Sequence, residues 1–267
     1  MPAYFHYTID AYGCLSQQTN KLMVINDFLV TTATELDMQP VMPPFLVPYY
    51  YCDDAQDVGI SAFCICADGS HITIHTFPER SCYFIDILTN SFLEEAKVKD
   101  LVCKQLYAGN FSIQTLDRRD FASDPSAVDT QNDFGPHFMI TVNNPKTSFE
   151  AIYKWLETIA PKINMNPISR PYVIYDRVED PQTISGILVV AQSHIAFHYC
   201  IEDDVANIDI FSCSFLDLDV IEAIIHEDFG MDARIDLFAR GSKHRYECQH
   251  YSRQTRIEKN KTWQKNL

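Results

Sequence analysis

The sequence predicts an α+β fold built from two tandem repeats that pack as a four-layer αββα sandwich. Two segments carry this prediction, SHITIHTFPE starting at Ser70 and SHIAFHYCIE starting at Ser193. IDILTNSFL and IDIFSCSFL follow them at the same distance, so that equivalent residues are separated by a constant 123 positions. A constant spacing over this length indicates one structural unit that is present twice.

The first repeat alternates strand and helix patterns. YFHYTIDAY has the alternation of a strand, and apolar residues recur at helical spacing from Lys21 to Leu36. Three β-rich runs separated by turn residues come next, GISAFCICA, HITIHTF and CYFIDIL. A helix around Ser91 to Leu106 and the strand FSIQTL complete the repeat.

The second repeat has the same order of elements. It runs from HFMITV through a helix at about Ser148 to Ile159, the strands GILVVA, HIAFHYC and NIDIFSC, and a helix near Leu216 to His226, to ARIDLFA. Two helices per repeat can cover one face of each sheet, which leaves the other two sheet faces to pack against each other. The four-layer arrangement follows from this pairing.

Composition divides the chain into four parts. The repeats are predicted at 1–120 and 136–242, joined by a linker at 121–135 that is rich in Asp, Ser, Pro and Asn. A basic tail occupies 243–267. The whole chain carries a net charge of −15 and the segment from Gly241 to Leu267 carries +5, which leaves −20 for the residues before it. An acidic body of this kind argues against nucleic acid as a partner and suits a cationic ligand.

The composition is typical of a globular protein in a reducing compartment. No N-terminal segment has the pattern of a secretory leader, and no window approaches the roughly 18 uncharged apolar residues that a membrane-spanning helix needs. Nine cysteines without regular spacing indicate reduced thiols and not a disulfide framework. We therefore expect a cytoplasmic protein without a membrane partner.

The strand motifs resemble the signature of S-adenosylmethionine decarboxylases, the pyruvoyl-dependent enzymes of polyamine synthesis. ISGILVVAQSHIAFH carries the likeness in the second repeat, and SAFCICADGSHITIHTFPE, preceded by HYTIDAYGC, carries it in the first. The likeness runs from about Tyr4 to Leu116 and from His137 to Ala239. In both repeats a serine, a histidine five residues on and an aspartate sixteen residues on recur together.

The resemblance implies that one serine becomes a covalent pyruvoyl cofactor by cutting its own chain. In the family the serine hydroxyl attacks the preceding carbonyl, β-elimination follows, and the new chain starts with a ketone that binds the substrate amine as a Schiff base. A cysteine twenty residues later reprotonates the product. Ser193 and Cys213 have this spacing, and cleavage is therefore expected between Gln192 and Ser193. Ser70 is followed at the same distance by Asn90, whose neutral amide is unsuited to donating a proton.

The remaining catalytic residues are expected from the facing repeat. In two-protomer relatives, the processing serine and histidine and the ribose-binding glutamate come from the unit opposite the pyruvoyl serine. Transferred to this chain, Ser61 and His75 would assist cleavage. Glu79 and Phe77 of HTFPE would then bind S-adenosylmethionine. Gln192 stands where the family usually has glutamate.

A reciprocal pseudo-site is expected to be inert as a decarboxylase. It would contain Ser70, Asn90, Ser185, His198 and Glu202. In the second repeat the processing serine lies eight residues before the cleaved one, but Ser61 lies nine residues before Ser70. The difference arises because Asp68 and Gly69 replace a single residue. We expect this insertion to distort the strand end at Ser70.

Several other motifs have a simpler structural interpretation. Cys64 and Cys66 lie on one face of a strand, but no second ligand pair has the spacing of a zinc site, so we expect no metal. The tyrosines at 49–51 could hold a sulfonium by cation–π attraction, and packing is the simpler role. His6 and His137, at equivalent strand starts, are expected to be structural.

Three functions stand as alternatives. The preferred one is pyruvoyl-dependent decarboxylation of S-adenosylmethionine to the aminopropyl donor for spermidine synthesis. The second is a catalytically silent paralogue that binds and regulates an active decarboxylase, and the third is a sister decarboxylase for a basic amino acid such as arginine or ornithine. The sequence leaves open whether a diamine activates processing, and whether the chain forms a homo-oligomer or pairs with a paralogue.

Overall fold

The computed structural model describes six stretches of the chain. They are residues 4–48, 57–120, 135–177, 179–191, 193–213 and 216–241. The tyrosines at 49–51, the linker up to residue 134, Gln192 and the basic tail at 243–267 lie outside the described residues. Within the described stretches, no helix is long and apolar enough to cross a membrane.

The first repeat is a six-stranded sheet with its helices on one side. Its elements are β1 (Phe5–Tyr12), α1 (Ser16–Thr19), α2 (Leu22–Glu35), β2 (Phe45–Pro48), β3 (Ile60–Cys66), β4 (Ser70–Phe77), β5 (Cys82–Thr89), α3 (Glu95–Gln105) and β6 (Asn110–Asp117). A single 3-10 turn, Pro78–Arg80, joins β4 to β5. The predicted long strands and both long helices are confirmed.

The second repeat has six strands and two helices, without counterparts of α1 and of the 3-10 turn among its described residues. They are β7 (Gly135–Asn143), α4 (Phe149–Lys162), β8 (Tyr172–Tyr175), β9 (Thr183–Val190), β10 (Ser193–Cys200), β11 (Val205–Phe211), α5 (Leu218–Phe229) and β12 (Arg234–Arg240). Ser148 caps α4 by accepting a hydrogen bond from the Ala151 N–H, and Asp217 caps α5 in the same way from Asp219. Both helices begin within two residues of their predicted starts.

The two sheets have one topology. The strand order is β2-β3-β4-β5-β1-β6 in the first and β8-β9-β10-β11-β7-β12 in the second, so each strand has its counterpart at the same place. All neighbouring strands are antiparallel. This confirms the predicted pair of α+β repeats.

Alternate residues of each strand serve two separate cores. Ile195 and Phe197 of β10 belong to the cluster beneath the helices, whereas Ala196 between them packs with Phe63 and Ile65 of β3 on the other face. Because both faces are covered, every residue of β4 is buried. The layers are therefore helices, sheet, sheet and helices, as predicted.

Two short strands, β2 and β8, were not expected from the sequence. Each has four residues and lies at the outer edge of its sheet, where only one neighbouring strand fixes it. Pro48 ends β2 at the edge, where proline is tolerated because it has no N–H and no second strand needs a donor there. A run of four residues is too short to reveal a period.

The predicted distortion at Ser70 is wrong. In β3 and β4, Ser61 pairs with His75 and Cys66 pairs directly with Ser70, which is the pairing seen between β9 and β10. The inserted residue is absorbed in the turn, where Asp68 and Gly69 take positive φ angles of 57° and 68°. Asparagine, aspartate and glycine are the residues that adopt this region at least cost, so the strands keep their register.

Candidate active site

A layer of buried histidines lies between the two sheets. It consists of His6, His71, His75, His137, His194 and His198, all at most 2% exposed. Each of these residues meets a histidine of the other repeat across the interface, because β4 faces β10 and β1 faces β7. The ring centroids of His6 and His137 are 5.1 Å apart, and those of His71 and His198 are 4.8 Å apart.

Two serine–histidine–histidine chains cross this layer. In one, the Ser61 hydroxyl lies 2.9 Å from Nδ1 of His75, whose Nε2 lies 2.9 Å from Nδ1 of His194. The other chain joins the equivalent atoms of Ser185, His198 and His71 at 2.8 and 2.7 Å. The serine and first histidine of each chain belong to one repeat, and the second histidine belongs to the other.

Ser193 is held at the start of β10. Its side chain is fully buried, and its Oγ accepts a hydrogen bond from the main-chain N–H of Cys213 at 2.9 Å. The Cys213 thiol donates to the carbonyl of Ala191 at 3.6 Å. Cys213 therefore contacts the chain on both sides of the predicted cleavage position, although Gln192 itself lies outside the described residues.

The Cys213 side chain faces the first repeat. It packs on a buried cluster formed by Tyr12, Phe77, Cys82, Phe84 and Phe211. Four of these five residues come from β1, β4 and β5, and the fifth comes from β11. The ring of Phe211 also lies 5.7 Å from that of His75. The fold thus packs Cys213 against a cluster that includes Phe77, and Phe211 of that cluster also contacts His75.

Glu79 lies in the 3-10 turn that follows Phe77. Its side chain is exposed, whereas Pro78 beside it is buried. Arg80 anchors the turn by an ion pair with Asp57, with 2.5 Å between Nε and Oδ1. The carboxylate of Glu79 is therefore carried by a fixed turn two residues from the cluster on which Cys213 packs.

The predicted pseudo-site is assembled differently around its serine. Ser70 is buried, but Asn90 is exposed and accepts a hydrogen bond from the neighbouring Ser91 hydroxyl. Glu202 is also exposed, in the turn between β10 and β11. Ser185 and His198 are buried and paired as described above. The serine–histidine pair and the exposed glutamate of the pseudo-site match their counterparts, whereas the exposed Asn90 differs from the partly buried Cys213.

The turn before Ser70 is pinned by contacts from several directions. The Tyr4 hydroxyl donates to the carbonyl of Asp68 at 3.0 Å, and the Gly69 N–H donates to the hydroxyl of Thr183 at 3.1 Å. The side chain of Asp68 also accepts a hydrogen bond from Arg177 at 3.1 Å. An acyl shift needs the peptide to distort, and these contacts hold it in place.

Two arginines cross between the repeats and neutralise two buried aspartates. Arg118, just beyond β6, binds Asp209 of β11 and donates to the carbonyls of Ile140 and Ile208. Arg240, at the end of β12, makes the reciprocal contact with Asp86 of β5, at 2.6 Å.

The strand registers show that the two arginines are equivalent. Arg240 pairs with Gly135 at the start of β7, and the N–H of Arg118 bonds to Tyr4 just before β1. Arg240 also binds Asp10 at 2.9 Å and lies 4.6 Å from the ring centroid of Phe211. This second arginine therefore borders the cluster that holds Cys213.

Burial sets the charge state of most of these histidines. It lowers the pKa of His194 to about 4 and that of His198 to about 3. Burial, aided by a neighbouring histidine in each case, also holds the pKa of His71, His75 and His137 well below the ordinary value of 6.5. These five imidazoles are neutral at pH 7, and a neutral imidazole has a lone pair that can accept a proton.

His6 and the aspartates titrate differently. Burial lowers the pKa of His6, but the carboxylates of Asp209 and Asp86 outweigh burial and raise it above 6.5. Burial raises the pKa of Asp86 and Asp209, and the facing guanidinium of Arg240 or Arg118 outweighs it, so both carboxyls have a pKa well below 3.8. Both aspartates therefore carry full negative charge.

Three buried groups have the spacing of a metal site. One ligand atom each from His6, Asp86 and His137 lies within 4.8 Å of the others. Oδ1 of Asp86, however, already accepts a hydrogen bond from Arg240 at 2.6 Å. A second cation at that oxygen would meet the guanidinium charge at close range, so the donor set does not suit a metal ion.

A family model for S-adenosylmethionine decarboxylase matches residues 5–119 and 143–241. The chain belongs to this family. Among curated relatives, the S-adenosylmethionine decarboxylase proenzymes of Anoxybacillus flavithermus and Geobacillus kaustophilus are each 33% identical to it over 54 residues. These alignments cover 20% of this chain and 44% of each relative, so the chain spans less than half the length of the curated relatives it matches.

Two solved structures are similar in part to this member of the decarboxylase family. The adenosylmethionine decarboxylase from Aquifex aeolicus aligns with 43% of this chain and 88% of its own, at 20% identity and a TM-score of 0.35. An unknown protein from Galdieria sulphuraria aligns with 89% of this chain and 98% of its own, at 10% identity and a TM-score of 0.21.

Four residues that line this decarboxylase-family interface have no role predicted from the sequence. They are His71, His194, Arg118 and Arg240. His71 and His194 were visible as matched positions of the repeat. The two arginines were visible only as charges at equivalent strand ends. Both arginines directly follow or end the last strand of a repeat, in TLDR and LFAR, where a solvent-exposed charge is the usual interpretation.

Proposed function

We propose that this chain is a pyruvoyl-dependent decarboxylase of S-adenosylmethionine that cuts itself between Gln192 and Ser193. The observation that carries the proposal is the hydrogen bond from the Cys213 main-chain N–H to the Ser193 hydroxyl oxygen, at 2.9 Å. It joins the two residues that the family spacing pairs. The Cys213 side chain meanwhile packs against the facing repeat, next to Phe77.

In the proposed cleavage, the Ser193 oxygen attacks the carbonyl carbon of Gln192 and the peptide C–N bond breaks, which gives an ester. Removal of the Cα proton of residue 193 then breaks its Cβ–Oγ bond and releases the Gln192 carboxylate. Water then displaces the nitrogen of the new amino terminus, which leaves as ammonia. The oxygen of that water becomes the ketone oxygen of a pyruvoyl group at residue 193. The step needs a nucleophile held in place and a base for the Cα proton.

His75 is the base that we assign to this proton. Its imidazole is neutral at pH 7 because burial, together with His194, holds its pKa well below 6.5. It lies one hydrogen bond from His194, which follows residue 193 directly. The hydroxyl of Ser61, 2.9 Å from the other ring nitrogen, fixes the orientation of the imidazole.

The residues around position 193 fit a small ketone. The Cys213 N–H supplies a donor for an oxygen there, and the rings of Phe77 and Phe211 supply apolar walls. When present, a pyruvoyl group takes up the electron pair that the departing carboxylate leaves behind. The Cys213 thiol is the proton donor that we assign to the product carbon, since it is only partly buried at this position.

Substrate recognition is assigned to the turn after β4. The exposed carboxylate of Glu79 is suited to accept hydrogen bonds from the two ribose hydroxyls, and Phe77 borders the site. The acidic body of the chain favours a substrate that carries a positive sulfonium. Because one chain carries both halves of the site, we propose that it needs neither a second copy nor a paralogue for cleavage.

Mass measurement of the purified, denatured full chain tests the proposal. We expect two fragments, Met1 to Gln192 and a chain beginning at residue 193 that is blocked to Edman chemistry. Purification with and without a diamine then shows whether a diamine speeds the cut. An intact, inactive chain would overturn the proposal in favour of a silent paralogue. A cut chain that releases carbon dioxide from arginine or ornithine, and not from S-adenosylmethionine, would indicate a sister decarboxylase.

A further inference from the structure

The turn that carries Glu79 is held on both sides of that residue. Pro78, which precedes it, is buried. Ser81, which ends the turn, takes a positive φ of 53°, and its carbonyl accepts a hydrogen bond from the Cys14 N–H at 2.9 Å. Residues other than glycine keep this conformation only where the surrounding structure holds them in it. The backbone around Glu79 is therefore fixed by its neighbours.

An ion pair ties this turn to the segment that enters β3. Nε of Arg80 lies 2.5 Å from Oδ1 of Asp57, and the two side chains are only 18% and 15% exposed. The chain just after Asp57 is pressed against β4, since a Cβ added at Gly59 would lie 1.8 Å from the carbonyl oxygen of Thr76. A charge-assisted hydrogen bond that is mostly shielded from water is stronger than an exposed ion pair. The pair therefore joins Arg80 to a segment that is itself fixed.

The equivalent turn of the second repeat cannot form this pair. The residues IED at 201–203 stand where the first repeat has PER at 78–80, so an acidic residue takes the position of Arg80. Asp203 accepts a hydrogen bond from the Cys200 thiol at 3.3 Å, within the same turn. The tie between turn and strand entry therefore belongs to the repeat whose glutamate is assigned to the substrate.

A fixed turn matters for an exposed carboxylate that must meet two hydroxyl groups at once. Ordering a mobile group on binding costs free energy and weakens the complex, whereas a group that is already in place avoids this cost. The charge of Arg80 alone would repel a positive sulfonium, but together with Asp57 it forms a pair without net charge. The pair can thus hold Glu79 without opposing a cationic substrate.

We propose that Arg80 and Asp57 are positioning residues for Glu79, and that their ion pair sets the affinity for S-adenosylmethionine. This role rests on the proposed function, which assigns Glu79 to the two ribose hydroxyls. Self-cleavage uses other side chains, so the pair should affect substrate binding and leave cleavage unchanged.

The experiment breaks the ion pair in two ways in the full chain. Arg80→Met and Asp57→Asn both remove it, but they change the local charge in opposite directions. We expect both to raise KM for S-adenosylmethionine about 3- to 10-fold, the cost of ordering one side chain on binding, with kcat nearly unchanged. The double variant should have a KM no higher than that of the weaker single variant, because the pair is already broken.

A control variant and two contrary outcomes make the test decisive. Arg119→Met removes an arginine that pairs with Asp117 at 2.6 Å in a turn without an assigned substrate residue, and it should leave KM unchanged. If charge alone mattered, Arg80→Met would lower KM and Asp57→Asn would raise it, which would overturn the proposal. Slower self-cleavage in either variant would also overturn it, since the pair would then support the fold as a whole.

The order of the turn is measured separately, by amide hydrogen exchange over residues 77–82 in chains that also carry Ser193→Ala and cannot cleave there. Exchange should be faster in Arg80→Met and in Asp57→Asn than in the Ser193→Ala chain alone, and unchanged in Arg119→Met. Equal exchange in all four chains would overturn the proposal. If the unmodified chain does not decarboxylate S-adenosylmethionine, the proposed function fails, and exchange alone decides whether the ion pair fixes the turn.

Discussion

The turn before Ser70 and the turn before Ser193 occupy the same place in two equivalent sheets, and they differ in what holds them. Ser70 follows a three-residue turn fixed by Tyr4, Thr183 and Arg177. Ser193 follows a shorter turn, and its hydroxyl accepts a hydrogen bond from the Cys213 N–H. The contacts of the first turn hold Asp68 and Gly69, whereas in the second Cys213 holds both the carbonyl of Ala191 and the hydroxyl of Ser193.

The interior beneath the two turns is much more alike than the turns themselves. Both serine–histidine–histidine chains are complete, with distances between 2.7 and 2.9 Å. Both crossing arginines bind their aspartates. Such residues support each other across the interface, so a loss on either side would leave a buried polar group unpaired. Polar groups at exposed strand ends can bind water when a partner is lost, and it is at these ends that the two repeats differ.

Removing each serine hydroxyl in turn is the most direct test of the difference between the two turns. Ser193→Ala should leave only full-length chain on a denaturing gel and by mass, because no other hydroxyl can form the ester at that peptide. Ser70→Ala is the matched control and should cleave at the unmodified rate. A fragment that ends at Gly69, or cleavage that persists in Ser193→Ala, would reverse the assignment of the two turns.

Replacing the first histidine of each serine–histidine–histidine chain, His75 or His198, should give almost as large a contrast in cleavage. His75→Ala removes the base assigned to the Cα proton, so the chain should accumulate as uncleaved precursor or trapped ester, which hydroxylamine would cut. His198→Ala removes the equivalent group of the pseudo-site and should leave cleavage nearly unchanged. Blocked cleavage in His198→Ala alone would mean that each repeat supplies its own histidine.

Cys213→Ala should separate formation of the cofactor from its use. The bond that holds Ser193 comes from the main-chain N–H of residue 213, which alanine keeps, so cleavage should proceed. Turnover should fall about 10²- to 10⁴-fold, the usual contribution of a positioned general acid. Part of the substrate should be diverted into transamination, detected as loss of the ketone. Asn90→Ala, its counterpart, should change neither rate.

Replacing each crossing arginine tests whether the two buried arginine–aspartate pairs contribute equally to stability. Arg240→Leu leaves the buried Asp86 without its arginine and also removes one of the hydrogen-bond partners of Asp10. We expect a loss of about 3–5 kcal/mol in the free energy of unfolding, as for other broken buried pairs. Arg118→Leu, which strands Asp209, should cost a similar amount or slightly less. Urea unfolding of both variants measures the difference, and no loss in either would contradict the buried charge network.

Acid should destabilise the sandwich gradually through its neutral histidines. A histidine whose folded pKa lies below 6.5 binds a proton in the unfolded chain first, so folding stability falls as pH drops below about 6.5. For His194 the loss continues to about pH 4, and for His198 to about pH 3. Each such histidine contributes about 1.4 kcal/mol per pH unit.

His6 opposes this trend, because its folded pKa is raised and it therefore stabilises the fold in acid. The five lowered histidines outnumber it, and the net effect should be destabilising. Urea midpoints measured from pH 7 to pH 5 give the slope. A midpoint that stays constant over this range would show that the histidine layer is already charged, or exposed to water, at neutral pH.

The sequence by itself determined the two repeats and their order of long elements, and its resemblance to a known family implied the pairing of Ser193 with Cys213. These depend on local patterns, namely strand alternation, helical spacing and a fixed distance along one chain. The four-residue edge strands β2 and β8 were not predicted. So short a segment has no period, and its conformation is fixed by the one strand beside it. The effect of the Asp68–Gly69 insertion was also misjudged, since a turn can absorb a residue when positive φ is accessible.

Only the tertiary structure decided which buried groups are partners. His75 and His194 are 119 residues apart, and Arg240 and Asp86 are 154 apart. A histidine or arginine near a strand end has the same local pattern whether it faces water or a carboxylate. The difference arises when two sheets close over it, because removal of water makes an unpaired charge costly and a paired one acceptable. That choice of partner depends on the packing of the repeats and cannot be read from either repeat alone.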